Sequence, residues 1–534
     1  MYGQSKEKSQ SSLLNLFSPS SASQVAVLKY RRAKQDVNNK VAILEAVWVK
    51  VETQLKFLRR ISEQGRLNDE LAQCHFMLLQ KLHSTLLQAV SQLEMSASSI
   101  ESASNKFFRF GRWKHALLKK SLDALMVELE AWQNRFDPSW YLIILIGDSV
   151  LDPVLAAPGQ ERAVNMEREA SPLNNLLGLR QAIEAENSPT TRQPNTVDFD
   201  ASRLADAKES IIPYTVMKFI QPESGEVLVI EPVDLPSGIS SQSITDAGNL
   251  SRKLQHIDPK TFGLLRCEGL LKITDSVNGG LTALEVVYRG PCNRQQPTTL
   301  RQLLLDQREV SLSAVVSLSK QLVRSVSYIH ACDFVHKNIR PDNIILFPSS
   351  SCPIGAAYLL GFTQFRSLAH QTNRFGDSAW HRNLYRHPAR QGLCILDEYV
   401  MQHDIYSLGV CLLEIGLWKP LVWYPRGNGD GTVAPVPGLV LALRTVLSDK
   451  VFERAHSKQD KTAWVKEDLV DMARRLLPAK MGDAYTEVVV SCLTCLDEGS
   501  EDFGSCKEES KGNSITIGVR FVEKILTRMA EIRV

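Results

Sequence analysis

The stretch DFVHKNIRPDNIILF, residues 333 to 347, gathers polar side chains at short spacing: His336, Lys337, Asn338 and then Asn343. Its two amides limit what it can do. An amide orients a hydroxyl through hydrogen bonds but takes no proton near neutral pH, so Asn338 is no general base. A single amide oxygen, such as Asn343 offers, is weak holding for a hard divalent cation that prefers carboxylates and phosphates. A second group lies at KFFRFGRWKHALLKK, residues 106 to 120, where six Lys or Arg interleave with Phe107, Phe108, Phe110 and Trp113. Lys106, Arg109, Arg112, Trp113 and Lys114 suit an anionic membrane surface or a protein partner, each cation near such a surface contributing about 1 kcal/mol. The plainer reading packs Phe107, Phe110 and Trp113 on a helical core and leaves the lysines solvated. Cys492 and Cys495 form a C-x-x-C pair, but no second Cys or His pair stands at zinc-finger spacing. They read as two buried helical thiols, and no metal is expected.

These groups need elements to hold them. Residues 1–25 are polar and Ser-rich. Beyond them Leu44, Trp48, Val51, Leu55 and Leu58 step by 4, 3, 4 and 3, placing one apolar stripe on a helix. Leu71, Cys74, Leu78, Leu82 and Leu86 make a second stripe, and Leu118, Leu122, Leu125, Leu129 and Trp132 a third. Such stripes bury only against each other, so residues 26–147 are expected to form a helical bundle. Residues 148–207 are rich in Pro, Asn, Glu and Ser and read as a linker, with a brace helix at PLNNLLGLRQAIEAE. From about 208 β-rich segments appear, IPYTVMKFI, GEVLVIEPV, LRCEGLLKIT and LTALEVVYRG, interrupted by a helix pattern at ITDAGNLSRKLQHI. The remainder is mostly helical. The fold class is therefore multidomain, α and α+β: a bundle, then a β-rich small lobe (208–291) and a helical large lobe (292–534).

Composition narrows the function classes. Apolar residues are 44% and charged residues 23%, within the soluble globular range, and the net charge of +3 gives no global case for nucleic acid. No apolar run approaches the roughly 20 residues of a spanning helix; the longest, WYLIILI, has seven. A cytoplasmic protein is expected, membrane-associated when activated.

The region 208–534 resembles a protein kinase domain. YIHACDFVHKNIRPDNIILF matches the family's catalytic loop with the spacing from His336 to Asn343 intact, and HDIYSLGVCLLEI matches its central helix through Asp404 and Gly409. The resemblance implies that Asp404 hydrogen-bonds the loop backbone. It also exposes the departures. Asn338 stands where the family has its catalytic aspartate, and Gly361, Phe362 and Thr363 stand where D-F-G brings the metal-binding carboxylate. No G-x-G-x-x-G follows the first strand, since MKFIQPESGEVLVIE offers only Gly225, and Glu231 replaces the phosphate-binding lysine. Lys218 is the candidate substitute from another strand, with Asn343 as the remaining cofactor-binding residue. Ala389 in YRHPAR replaces the glutamate of A-P-E. No cofactor is expected; ATP with magnesium is the alternative.

The whole chain is similar in architecture to filamentous-fungal proteins that join a HeLo-like, prion-inhibition-and-propagation domain to a kinase-like domain, and to mixed-lineage kinase domain-like proteins. That resemblance implies a pseudokinase signalling protein in regulated cell death or allorecognition, its kinase-like part a binding switch for a bundle that acts as effector or oligomerises. Protein partners, a homo-oligomer through the bundle and an anionic membrane are implied, and nucleic acid is not. Two alternatives stand beside it: an atypical Ser/Thr protein kinase with residual ATP-dependent activity, and a plain interaction scaffold.

Overall fold

The computed structural model describes residues 178–182 and, apart from short internal stretches, 198–534, together with the isolated positions Gln80 and Val127. The chain divides into two units, Met1–Phe136 and Asp137–Val534. The expected bundle and its basic patch, Lys106, Arg109, Arg112, Trp113 and Lys114, lie outside the described residues, as does most of the linker.

The first lobe is a five-stranded antiparallel sheet: β1 (Lys208–Ile211), β2 (Lys218–Gln221), β3 (Leu228–Pro232), β4 (Arg266–Thr274) and β5 (Leu281–Arg289), in the order β1-β2-β3-β5-β4. Side chains alternate between its faces. On one face Ile220, Leu228, Ile230, Leu271 and Val287 form an apolar cluster that Phe199 completes, with Leu204 and Ala207 packed beside it. The Phe199 amide donates to the Leu270 carbonyl at 2.7 Å, so the segment before β1 covers the β4 edge. Phe199, which precedes the expected lobe boundary at 208, thus belongs to the apolar cluster of the sheet. The opposite face carries Val229, Glu231, Val286 and Tyr288. Helix α1 (Ser241–Gln255) falls between β3 and β4 and packs on β4. The described part of the brace, 178–182, is helical, and its Leu179 and Arg180 are buried. A Cβ at Gly178 would lie 2.4 Å from His256 Nδ1, so the glycine sets how closely the brace approaches the end of α1.

The second lobe is organised around helices. Helix α2 (Leu300–Asp306) starts at Thr299, whose hydroxyl accepts from the Gln302 amide at 3.1 Å, a capping arrangement. Ser311 caps α3 (Leu312–Ala331) in the same way through the Ala314 amide. Helix α4 (Met401–Leu417) is buried at all of its residues, its polar side chains Gln402, His403, Asp404, Ser407 and Glu414 included. Against it lie α5 (Lys458–Leu476) and α6 (Asp483–Leu493). A Cβ at Gly409 would come within 2.8 Å of Cys492 Cβ, so this glycine permits the close crossing of α4 and α6. Cys492 and Cys495 are buried free thiols. Two short strands, β6 (Thr298–Thr299) and β7 (Phe334–Val335), precede the hairpin of β8 (Ile344–Ser349) and β9 (Cys352–Leu359), which faces the first lobe, where Phe347 and Phe219 meet with ring centroids 6.4 Å apart. Among the described residues no helix is long and apolar enough to cross a membrane.

Candidate functional site

The loop from β7 (Phe334–Val335) to β8 hangs from one carboxylate. Asp404 on α4 is fully buried; it accepts from the amides of His336 at 2.7 Å and Lys337 at 2.9 Å and from the Tyr399 hydroxyl at 2.6 Å. His330 Nε2 lies 3.3 Å from the same carboxylate. Burial opposes the Asp404 charge, but the hydrogen bond and charge of His330, with His336 and Tyr399, overrule it and hold the carboxyl below its usual range. Lys337 pays for this in backbone geometry, with φ at 64°. Its ammonium stands 5.4 Å from the Tyr399 ring, and the Arg390 guanidinium stands 5.3 Å from that ring.

Both amides turn inward. The Asn338 side chain donates to the Gly361 carbonyl at 3.1 Å, and the Asn343 side chain donates to the Asn338 carbonyl at 2.7 Å. The Leu360 amide in turn donates to the Asn343 carbonyl at 2.9 Å. Loop and strand end are knotted together by these three hydrogen bonds. Gly361 has φ at 95°, and a Cβ built on it would lie 2.4 Å from Asn343 Cγ. Phe362 packs on His336 with centroids 4.5 Å apart.

From the other lobe comes Glu231, almost wholly buried, whose Oε2 accepts from the Gly361 amide at 3.3 Å. Tyr288, on the same face of the sheet, has its phenol pushed well above the ordinary range by burial and then by the Glu231 charge. Lys218 does not join this group. It pairs across the sheet with Ile230, on the face opposite Glu231, and its ammonium lies 3.4 Å from Glu209 and 3.9 Å from Glu285. Lys218, the expected cofactor-binding substitute, thus shares a sheet face with Glu209 and Glu285 rather than with Glu231. The first hairpin turn also differs from expectation. Between β1 and β2 runs IPYTVM, without glycine, while Gly225 sits one turn later between β2 and β3. At this end of the cleft the Asn343 side chain thus lies against Gly361, and the one carboxylate that reaches the Gly361 amide is Glu231.

One feature of the site was missed by reading the sequence. Arg301 on α2, fully buried, donates to Glu414 at 3.1 Å, to the Val422 carbonyl at 3.1 Å and to the Tyr385 hydroxyl at 2.6 Å, with Asp342 at 3.6 Å. Glu414 further accepts from the Leu421 amide at 2.6 Å and from Tyr385 at 2.7 Å. The cluster ties α2, the loop and the residues after Tyr385 to α4. Ala389, which carries no charge, lies in the short turn at Pro388–Arg390.

Three histidines around this framework use Nδ1 as an acceptor: His336 from the Asn338 amide, His387 from Ala389 and His403 from Val400. Burial drives His336 and His387 down to about 4 and His403 to about 3. The folded chain therefore binds fewer protons than the unfolded chain below pH 6.5, so stability falls as pH drops from 6.5 toward 4. Each histidine contributes up to about 1.4 kcal/mol per pH unit in that window. Glu285 and Glu414, raised by burial, act in the opposite sense and reduce the net slope. Urea midpoints at pH 7.5 and pH 5 check this, with a clearly lower midpoint expected at pH 5; equal midpoints would mean these rings titrate freely.

No protein-family model matches the chain. Similar curated proteins include eukaryotic translation initiation factor 2-alpha kinase 1 of Rattus norvegicus, 33% identical over 115 residues covering 20% of this chain and 18% of that protein. The probable serine/threonine-protein kinase glkA of Dictyostelium discoideum is 24% identical over 237 residues, 39% of this chain and 47% of its own. Serine/threonine-protein kinase SSN3 of Mycosarcoma maydis is 25% identical over 272 residues, 50% of this chain and 33% of its own. The chain thus spans less than half the length of each of these relatives. All three are protein kinases by name, and the chain carries a protein kinase-like domain.

Proposed function

We propose that this kinase-like domain works without phosphoryl transfer, as a binding switch in a signalling protein. The observation that carries the reading is the Asn338–Gly361–Asn343 knot, in which the Asn343 side chain fills the space where a side chain at 361 would begin. No carboxylate at 338 takes a proton, none at 361 holds a metal, and Glu231 at the end of the cleft repels phosphate. What the loop retains is its suspension from Asp404, a task in building a surface.

On this reading the expected bundle of residues 26–147 is the effector or oligomerisation part, in regulated cell death or allorecognition of the kind its HeLo-like resemblance implies. The full chain is the sample for both arms of the test. Millimolar ATP, with and without magnesium, is expected to leave the melting temperature unchanged, and anionic liposomes are expected to leak when the chain is added. A magnesium-dependent ATP shift of several degrees would remove the non-catalytic reading. Intact liposomes would remove the effector role and leave a scaffold.

A further inference from the structure

The turn between β1 and β2 is built unlike a loop meant to move over a ligand. Ile212 and Met217 are buried at its base, and the Ile212 amide donates to the Met217 carbonyl at 2.9 Å. Thr215 braces the interior, its hydroxyl donating to the Ile212 carbonyl at 2.9 Å and accepting from the Met217 amide at 3.0 Å. Tyr214 then takes φ at 63°, in the left-handed region that costs a side chain strain and that glycine or asparagine enters more easily. The ring reaches Tyr424 of the other lobe, with centroids 5.2 Å apart at 57°.

Tyr424 stands on a rigid base. It follows the strand Val422–Trp423, whose Val422 carbonyl is held by the buried Arg301, and the Arg301 guanidinium lies 5.9 Å from the Tyr424 ring. His381 packs on the same ring at 6.5 Å, with Trp380 at 6.0 Å from His381. Behind this contact Phe219 of β2 meets Phe347 of β8. We infer that the β1–β2 turn is a clasp: Tyr214, seated on Tyr424, holds the first lobe against the second and keeps the cleft between them shut. The clasp deepens the non-catalytic reading and rests on it, since a cleft that must admit and release a nucleotide in each turnover would not be latched by two aromatic rings at its mouth.

Hydrogen exchange on the full-length protein tests it. Tyr214→Gly removes the ring while relieving the backbone, and Tyr424→Ala removes the seat; each is expected to raise exchange in residues 212–221 about tenfold and to carry 344–347 with it. The double variant is expected to exchange no more than about threefold faster than either single one, because both remove one contact. Tyr214→Phe, which keeps the ring, stays within about twofold of the parent. Unchanged exchange in the single variants, or a double effect equal to the product of the two, overturns the clasp. ATP with magnesium, added to the two opened variants, separates the readings. A melting shift only in the opened variants supports the clasp and overturns the claim that the site itself rejects nucleotide, whereas opening without a shift supports both.

Discussion

Returning both missing carboxylates, Asn338→Asp together with Gly361→Asp, is expected to lower the unfolding midpoint and to produce no phosphoryl transfer. The two positions fail together for one steric reason. A Cβ at 361 meets Asn343 Cγ at 2.4 Å, and Asn343 cannot swing aside without losing its hydrogen bond to the Asn338 carbonyl. Position 361 also sits at a φ of 95°, where a side chain costs roughly 1–3 kcal/mol of strain. At 338 an aspartate replaces a donor by an acceptor facing the Gly361 carbonyl, breaking a hydrogen bond worth about 1 kcal/mol and adding a charge near Glu231. The strain and the lost hydrogen bond together come to about 2–4 kcal/mol, to which the added charge and the close contact at 361 add, and a domain of this size should lose on the order of 10 °C in midpoint. Thermal unfolding and a radiolabelled ATP transfer assay read the two halves separately. A double variant as stable as the parent, or one that phosphorylates itself with magnesium and ATP, would sink the account of the knot.

The same residues mark how far the sequence could be read. Asn338, Gly361 and Asp404 were legible because each sits in a local run whose letters build one piece of backbone, and a changed letter there has a direct chemical meaning. Glu231 was legible as a replacement, although its contact with the Gly361 amide spans two lobes and required coordinates. The face of Lys218 is not legible in the sequence, because it depends on register: pairing with Ile230 puts it with the outer cluster. Phe199 reads as linker because a single aromatic among polar residues has no period, and its partners lie on strands remote in sequence. The turn at Tyr214 leaves little mark in the sequence, because it holds no glycine while the next turn carries Gly225. Tertiary ion pairs leave even less trace. Arg301 and Glu414 are 113 residues apart, and each alone reads as a charge on a helix.

That buried pair sets up the other large expected effect. Arg301→Ala should destabilise the protein by about 3–5 kcal/mol, the usual cost of stranding a buried charge, because Glu414 is fully buried and Asp342 nearly so. The loss comes from the partners left behind rather than from the pair's own net worth. Replacing both, Arg301→Met with Glu414→Leu, should therefore recover most of it, since a packed apolar pair of similar volume avoids desolvating two ions. The pH response separates this from a simple packing defect. Glu414 already has its carboxyl raised, by burial that Arg301 only partly offsets. Without Arg301 it rises further, and a group raised in the folded state contributes stability below its unfolded value of about 4.3 that is lost as pH climbs. The Arg301→Ala variant should thus lie furthest below the parent near pH 8 and approach it as pH falls toward 5, although both chains lose stability there through the buried histidines. Urea midpoints for parent, single and double variants at the two pH values measure all of this. A gap independent of pH, or a single variant within about 1 kcal/mol of the parent, would mean that Glu414 finds another partner or reaches solvent.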